Sequence, residues 1–310
     1  MPNNYYNLKR SLFPLFLLMI FLGQVSCDTK YKVRDLHQVT FKPVWGIKYT
    51  EVKRRHSTGR SIDKYGYMLD PSWQLTFLSD DSARVYSPQK GAFINFVITN
   101  DHDSIFHTAR TWFRAQKLTK DSLVLQVLFV QTKKVYLLRS TVYVTFYSDD
   151  YIKNVLKSTP AKLQVPDKAD TMFVRSMIAH PHKDPDSLFA AHEPVLMKSK
   201  SPLVKVTKTE VVPNHENNFN ASDGYLYPEY NISIKNAYQD FDYSFTAIVN
   251  EKGEMRLGKS LMASYADNTN IIKGIIDGYL KAYIDVKPGS TFGIPHTSRI
   301  YVNVEGQKKR

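Results

Sequence analysis

The chain has 310 residues, and its 42 lysines and arginines against 29 acidic residues give a formal net charge of +13. Its single cysteine, Cys27, excludes disulfides within the chain and sites that need several thiolates, such as cysteine-ligated zinc or an iron–sulfur cluster. The length allows about two modest domains. The 17 Phe and 20 Tyr residues against only 13 Gly favour a β-rich, tightly packed chain.

The first 27 residues are ordered like a targeting signal. A basic pair, residues 9–10, precedes the apolar run Leu12–Leu22, and small residues lead to Cys27. This order is typical of a secretory signal, and the run is shorter than the roughly 20 apolar residues that cross a bilayer. It resembles the start of bacterial lipoproteins, although Gln24 stands where they prefer an aliphatic residue. The resemblance implies cleavage after residues 1–26 and acylation of Cys27. The alternative is an ordinary secretory signal with an incidental cysteine.

The signal predicts where the protein works. We expect a lipid-anchored protein in the envelope of a Gram-negative bacterium of the Bacteroidota type, at the outer membrane or its periplasmic face. Nucleic acid is not an expected partner there. The net positive charge suits an anionic neighbour such as a lipid headgroup, although basic residues spread along a chain also serve solubility. The predicted partners are the membrane, through the anchor, and an envelope or outer-membrane protein.

Two regions follow the signal. Residues 27–62 are polar and basic with scattered aromatics, which predicts a tether or an edge strand. Residues 63–157 show short β patterns separated by turns, which predicts an antiparallel sandwich or barrel. The predicted elements are the strands Trp73–Phe77, Ala92–Thr99, Thr111–Gln116, Leu123–Val130 and Ser140–Tyr147, an ambiguous segment Ile105–Phe113, and a short helix Asp150–Leu156.

The next region, residues 158–221, is punctuated by prolines and has little periodicity, which predicts a linker with short structured pieces. Residues 222–310 then form a second ordered domain. Asp242–Val249 alternates as a strand, and Glu254–Leu261 returns after a turn. An amphipathic helix is predicted from Thr269 to Ala282, with Asn268 as its N-cap and a stripe of isoleucines on one face.

The order of these last elements resembles the C-terminal domain of the TonB energy-transducer family, over residues 225–306. The corresponding segments here are the strand Phe245–Val249, the turn Asn250–Gly253, the strand Met255–Leu261, the helix Thr269–Leu280, the break Pro288–Gly289, the step Gly293–Pro295 and the last strand Arg299–Val304. The tryptophan usual before the Pro-Gly break is missing. A true energy transducer also has a spanning N-terminal helix, where this chain has a lipid anchor. The resemblance therefore implies a small sheet with one packed helix and a habit of protein contact, not energy transduction.

In that family the domain pairs an exposed strand with a segment of its partner, which is strand addition to a sheet edge. The resemblance implies that the last strand, Arg299–Val304, is the partner-binding edge. Its residues are Arg299, Ile300, Tyr301, Val302, Asn303 and Val304. The alternative is an edge protected against aggregation by the basic residues 308–310.

The sequence contains no convincing catalytic, cofactor or metal motif. His180 and His182, with His192 and Glu193 downstream, are the best metal candidate, since two imidazoles and a carboxylate can hold zinc. Their setting in a proline-containing loop argues for exposed side chains instead. No glycine-rich phosphate loop and no Gly-x-Ser-x-Gly are present. We expect no catalytic residues, no cofactor and no metal.

The sequence thus predicts an α+β protein: an antiparallel β-rich domain, sandwich or barrel, followed by a small TonB-like sheet with one packed helix. The predicted function is noncatalytic contact with another envelope protein by strand addition. The alternative is a lipocalin-like lipoprotein that binds a lipid or sugar inside the β-rich domain.

Overall fold

A computed structural model describes residues 38–88, 90–181, 184–210, 224–226, 228–262 and 265–309, without the side chains of 265–267. The predicted signal peptide and Cys27 lie outside these residues. Within them, none of the helices combines the length and the apolar character that a membrane crossing requires. The two sheets described below belong to one compact unit that begins at Gln38.

The first sheet has nine strands, and every pair in it is antiparallel. Its strands are β1 (Lys48–His56), β2 (Gln74–Phe77), β3 (Ser82–Ser87), β4 (Ala92–Val97), β5 (Thr99–Asn100), β6 (Ile105–Thr108), β7 (Thr111–Leu118), β8 (Ser122–Leu128) and β11 (Val142–Ser148). A small hairpin, β9 (Val130–Gln131) and β10 (Lys134–Val135), separates β8 from β11. The ambiguous segment Ile105–Phe113 is therefore β6 and the start of β7.

The first sheet is nearly closed. Its strand order is β4-β3-β2-β1-β11-β8-β7-β6-β5, and the two outermost strands, β4 and β5, are separated in the chain by Ile98 alone. The ends of the sheet must therefore lie beside each other, so the sheet curls around its own core. The prediction of an antiparallel β-rich region is confirmed. A single, nearly closed sheet is closer to the predicted barrel than to the predicted sandwich, which requires two facing sheets.

The prediction of a tether or edge strand over residues 27–62 is wrong for residues 48–56. These residues form β1, which pairs with β2 on one side and with β11 on the other. A basic segment is not expected to form an interior strand. Here the segment does so because Lys53, Arg54 and Arg55 point away from the core or pair with carboxylates. Arg54, for example, makes a bidentate bond to the fully buried Glu51 at 2.7 and 2.8 Å.

The proline-punctuated region contains more ordered structure than a linker. It forms α1 (Pro160–Leu163) and α2 (Lys168–Ala179), and Asp167 caps α2 through the backbone N–H of Asp170. The buried carboxylate of Asp170 accepts bonds from the Ser61 N–H at 2.8 Å and from Arg55 at 3.1 Å. These bonds fix α2 against the first sheet. The physical reason is that Pro160 stands at the first position of α1, where proline is tolerated, and no proline lies within α2.

A third small core lies where α2 meets both halves of the compact unit. Its buried members are Ile62, Val174 and Phe189, with Phe292 and Ile294 packed against them. The Ala190 N–H also donates to the carbonyl of Tyr65 at 2.9 Å. The segment predicted as a linker therefore packs against residues that follow β1 and against residues that precede β20.

The second sheet has five strands in the order β13-β14-β20-β15-β16. They are β13 (Val204–Lys208), β14 (Glu229–Ala237), β15 (Phe241–Val249), β16 (Met255–Ser260) and β20 (Ser298–Lys308). Two short pairs flank it: β12 (Leu196–Ser199) with β17 (Ile284–Lys287), and β18 (Ser290–Thr291) with β19 (Ile294–Pro295). The predicted hairpin of β15 and β16 is confirmed.

The predicted helix is confirmed, but its start is earlier. Helix α3 spans Tyr265–Ile275, continues as a π-helical turn over Ile276–Leu280 and ends with the helical residues Lys281–Tyr283. Asn268 lies inside the helix and is not its N-cap, since no glycine or proline in the preceding turn stops it. The isoleucine stripe packs on the second sheet as its period predicted. Its buried residues are Ile272, Ile275, Ile276 and Leu280.

The remaining short elements are local. Lys42–Val44, Leu137–Arg139 and Pro185–Ser187 form 3-10 turns, and Tyr151–Val155 forms a π-helical turn where a short helix was predicted.

Candidate functional site

The predicted partner-binding edge is not an edge. Residues 299–304 belong to β20, which is the middle strand of the second sheet. On one side β20 pairs antiparallel with β15, and on the other it pairs parallel with β14. Ile300, Val302 and Val304 are fully buried in the core. The prediction that Arg299–Val304 is open to a partner is therefore wrong.

The outward face of β20 is also occupied by the protein itself. Asn303 donates to Glu229 at 2.6 Å and accepts a bond from Ser244 at 2.7 Å, while Arg299 pairs with Asp186 at 2.6 Å. The cause of the wrong prediction is β14, because a parallel neighbour forms through a long crossover connection and leaves no local signal in the sequence.

The two real edges of the second sheet are β13 and β16. The ladder of β16 runs to β15 alone, from Met255 opposite Val249 to Ser260 opposite Phe245. The ladder shifts register where Gly258 approaches Thr246, which is a bulge. The exposed side chains of β16 are Arg256 and Lys259. A glycine inside an alternating strand and cations along it are the sequence signals that could have identified this edge.

A cavity of about 640 Å³ opens beside the start of β16. It lies between the β15–β16 turn, the π-helical turn of α3 and β17. Its floor is apolar and consists of buried side chains that also belong to the core. These are Ile248, Ile276, Leu280 and Ile284. We call this cavity, with the adjoining edge of β16, the β16 groove.

The rim of the β16 groove carries charges of both signs. Arg256 and Lys281 face it together with Asp277 and Asp285, and all four are exposed. None of them forms an ion pair within 4.0 Å with another residue of the described ranges. The rim is therefore available to charges on an incoming segment.

The turn at the end of the β16 groove is tightly specified. Gly253 has φ +82°, and a Cβ built on it would lie 2.3 Å from the carbonyl oxygen of Val286. Only glycine fits both the left-handed backbone and this approach. Asn250 fixes the same turn by accepting from the Glu254 N–H at 2.9 Å and donating to the Glu254 carboxylate at 2.7 Å. The groove thus has a rigid wall on this side.

The interior of the first sheet is filled by aromatic side chains. The rings of Phe41 and Phe77 stack with centroids 4.1 Å apart, and Phe106 lies 5.0 Å from Phe41 and 5.5 Å from Phe113. All four are buried. Four cavities of the protein lie elsewhere and are lined by residues from 177 onward. Eight or so strands enclose just enough room for side chains, so this packing is the expected filling.

The histidines singled out by the sequence do not converge. His192 contacts Asp70 at 3.4 Å and Glu193 at 3.6 Å, whereas His180 contacts the carbonyl of Ser176. His182 lies outside the described residues. Among the residues described, no three His, Cys, Asp or Glu side chains are placed to hold a metal ion. The hydrogen bond to Asp70 raises the pKa of His192 above its usual 6.5 against the effect of burial, and Glu193 adds to the rise.

Comparison with known proteins gives no assignment. No protein-family model, no curated protein and no solved structure matches the chain.

Proposed function

We propose that this protein is a noncatalytic, lipid-anchored protein of a Gram-negative envelope that binds another envelope protein by strand addition at β16. The observation that carries the proposal is an edge strand with an apolar cavity beside it. A partner segment that extends the sheet at β16 would gain main-chain hydrogen bonds, and its side chains would enter the β16 groove. Edge and pocket together supply affinity and specificity, which an edge alone does not.

The proposal includes a TonB-like end domain over residues 225–306. The order β15, β16, α3, β20 follows the resemblance to the TonB C-terminal domain, and β20 lies next to β15. In this chain β14 lies on the side of β20 where the family would add its partner strand. We therefore place partner binding at the opposite edge, β16, while keeping the mode of binding that the resemblance implies.

The interior of the first sheet argues against the lipocalin-like alternative. Such a function needs an enclosed space within the first sheet. Stacked phenylalanine rings occupy that interior.

A photo-crosslinking amino acid placed at Arg256 in the full chain tests strand addition in the envelope. The matched control is Lys205, an exposed lysine on the opposite edge strand β13. We expect a crosslink from position 256 to one envelope protein and none from position 205. Charge reversal at the rim, Asp277→Lys with Asp285→Lys, is expected to lower that crosslink about tenfold, because rim charges steer association.

Two results would contradict the proposal. One is equal crosslinking from both edges, which is expected of non-specific proximity. The other is no crosslink from position 256, which is expected if Arg256 and Lys259 only protect an edge from aggregation. The anchor is tested separately by mass measurement of the mature protein, where an unmodified amino terminus downstream of Cys27 would exclude it.

A further inference from the structure

The loop between β8 and β11 presents apolar side chains to solvent. We call residues 129–140 the tip loop; it contains the β9–β10 hairpin and the 3-10 turn Leu137–Arg139. Leu138 is 96% exposed, its neighbour Leu137 is 58% exposed and Tyr136 is 40% exposed. Single exposed apolar residues are common on protein surfaces, but three in succession usually mark a binding surface.

Hydrogen bonds hold the tip loop in a defined conformation. The exposure of its apolar side chains is therefore not that of a loose segment. The Ser140 hydroxyl accepts from the Phe129 N–H and donates to the Tyr136 carbonyl, both at 2.9 Å. The buried amide of Gln126 donates to the Ser140 carbonyl at 2.8 Å. These bonds close the base of the loop and hold Leu137 and Leu138 outward.

The charges around the apolar tip have one sign. Lys133, Lys134 and Arg139 are exposed, and the tip loop contains no acidic residue. The Arg139 guanidinium lies 3.8 Å from the centre of the Phe129 ring, which fixes its position beside the leucines. A protruding pair of leucines flanked by cations, with a tyrosine at its base, is complementary to a lipid surface, where acyl chains lie below anionic phosphates.

We infer that the tip loop docks the first sheet onto an anionic lipid surface. Leu137 and Leu138 enter the acyl boundary, Tyr136 lies at headgroup depth, and Lys133, Lys134 and Arg139 contact lipid phosphates. This docking is independent of strand addition at β16, because the two surfaces belong to different sheets. It also differs from the predicted anchor at Cys27, since it needs no covalent lipid.

An environment-sensitive fluorophore on Leu138→Cys tests the docking in the full chain. Cys27→Ser removes the only other thiol, so that the label has a single site. The matched control is Val97→Cys in the same background, because Val97 is 74% exposed on β4 and has no basic residue near it in sequence. Both variants share one amino terminus, which therefore cannot produce a difference between them.

We expect the label at 138 to shift to an apolar emission on phosphatidylglycerol vesicles, less on phosphatidylcholine vesicles, and the label at 97 to stay aqueous on both. Adding Lys133→Glu and Lys134→Glu should lower the affinity for phosphatidylglycerol at least about tenfold, since each cation near an anionic surface contributes about fivefold. High salt should also weaken binding.

An aqueous signal from position 138 on phosphatidylglycerol would overturn the proposal. So would equal shifts on the two lipids that resist charge reversal. A shift that requires added envelope protein and occurs without vesicles would also overturn it, in favour of a protein partner at the tip loop.

Discussion

The two sheets of this protein differ in what becomes of their edge strands. In the first sheet the outermost strands β4 and β5 are consecutive in the chain, so the sheet nearly closes on an aromatic core. The second sheet stays open, and α3 covers one face of it while β13 and β16 remain at its edges. A closed sheet removes its edges, whereas an open one keeps unpaired main-chain groups that must be protected or used.

The two proposed contacts correspond to this difference between a nearly closed and an open sheet. In the nearly closed first sheet, three exposed apolar residues in succession, Tyr136, Leu137 and Leu138, lie in the tip loop. The open sheet can be extended, and the cavity of about 640 Å³ with a floor of buried apolar side chains adjoins its edge strand β16. Substitutions in the two sheets distinguish separate stabilities from one cooperative unit.

The largest effect is expected from the cores of the two sheets. Phe106→Ala in the first sheet and Phe245→Ala in the second each remove a fully buried ring, which should cost about 3–5 kcal/mol of unfolding free energy. All three tryptophans, at positions 45, 73 and 112, lie in or beside the first sheet. Because the third core packs together segments that are continuous with both sheets, we expect Phe245→Ala to lower the urea midpoint seen by tryptophan fluorescence as well as the midpoint seen by circular dichroism.

Phe93→Ala is the control, since that side chain is 49% exposed and its loss should cost less than about 1 kcal/mol. If Phe245→Ala leaves the urea midpoint measured by tryptophan fluorescence unchanged, the two sheets unfold separately.

The next effect concerns the attachment of α2 to the first sheet. Asp170→Ala leaves Arg55 without its buried partner and the Ser61 N–H without an acceptor, which should cost about 3 kcal/mol. Asp167→Asn keeps a capping oxygen on a half-exposed side chain and should cost less than about 1 kcal/mol. Thermal unfolding of both variants checks this, and equal losses would contradict the role given to Asp170.

A smaller effect should depend on pH. The folded protein raises the pKa of His192 above 6.5, so it binds that proton more tightly than the unfolded chain does. The stabilisation by His192 is therefore complete below pH 6.5 and is lost as pH rises through the folded-state pKa. The stability difference between the wild type and His192→Gln, measured in urea from pH 5 to 8.5, should shrink toward high pH.

His296 provides a control of opposite sign. Burial lowers its pKa, so its protonation in the unfolded state removes stability as pH falls below 6.5. A His192→Gln difference that grew toward high pH would contradict the placement of His192 between Asp70 and Glu193.

The smallest effect is a gain. Gly274 lies in α3 with open space around a Cβ, so Gly274→Ala should stabilise the protein by about 0.5–1 kcal/mol. Gly253→Ala, at the turn of the β16 groove, should instead destabilise it, because its Cβ would meet the Val286 carbonyl. Melting temperatures of the two variants check both signs. A loss of stability in Gly274→Ala would mean that α3 packs more tightly on that side.

The sequence determined the local elements where a pattern repeats along one strand or helix. The alternation in Asp242–Val249 and Ser140–Tyr147 predicted β15 and β11, and the isoleucine spacing predicted α3, because each pattern reflects a single buried face. The combination of a β-rich region with a helix-covered sheet also followed from these patterns.

The tertiary structure alone decided which strands are neighbours. β1 became an interior strand although its sequence is basic, because its charges pair with carboxylates or face outward. β20 became a central strand because β14 pairs with it in parallel, with partners just over seventy residues apart in the chain, a contact that no local pattern encodes. The sequence therefore predicted an open edge at Arg299–Val304. Only the strand order shows that this strand is central and that β16 is an edge.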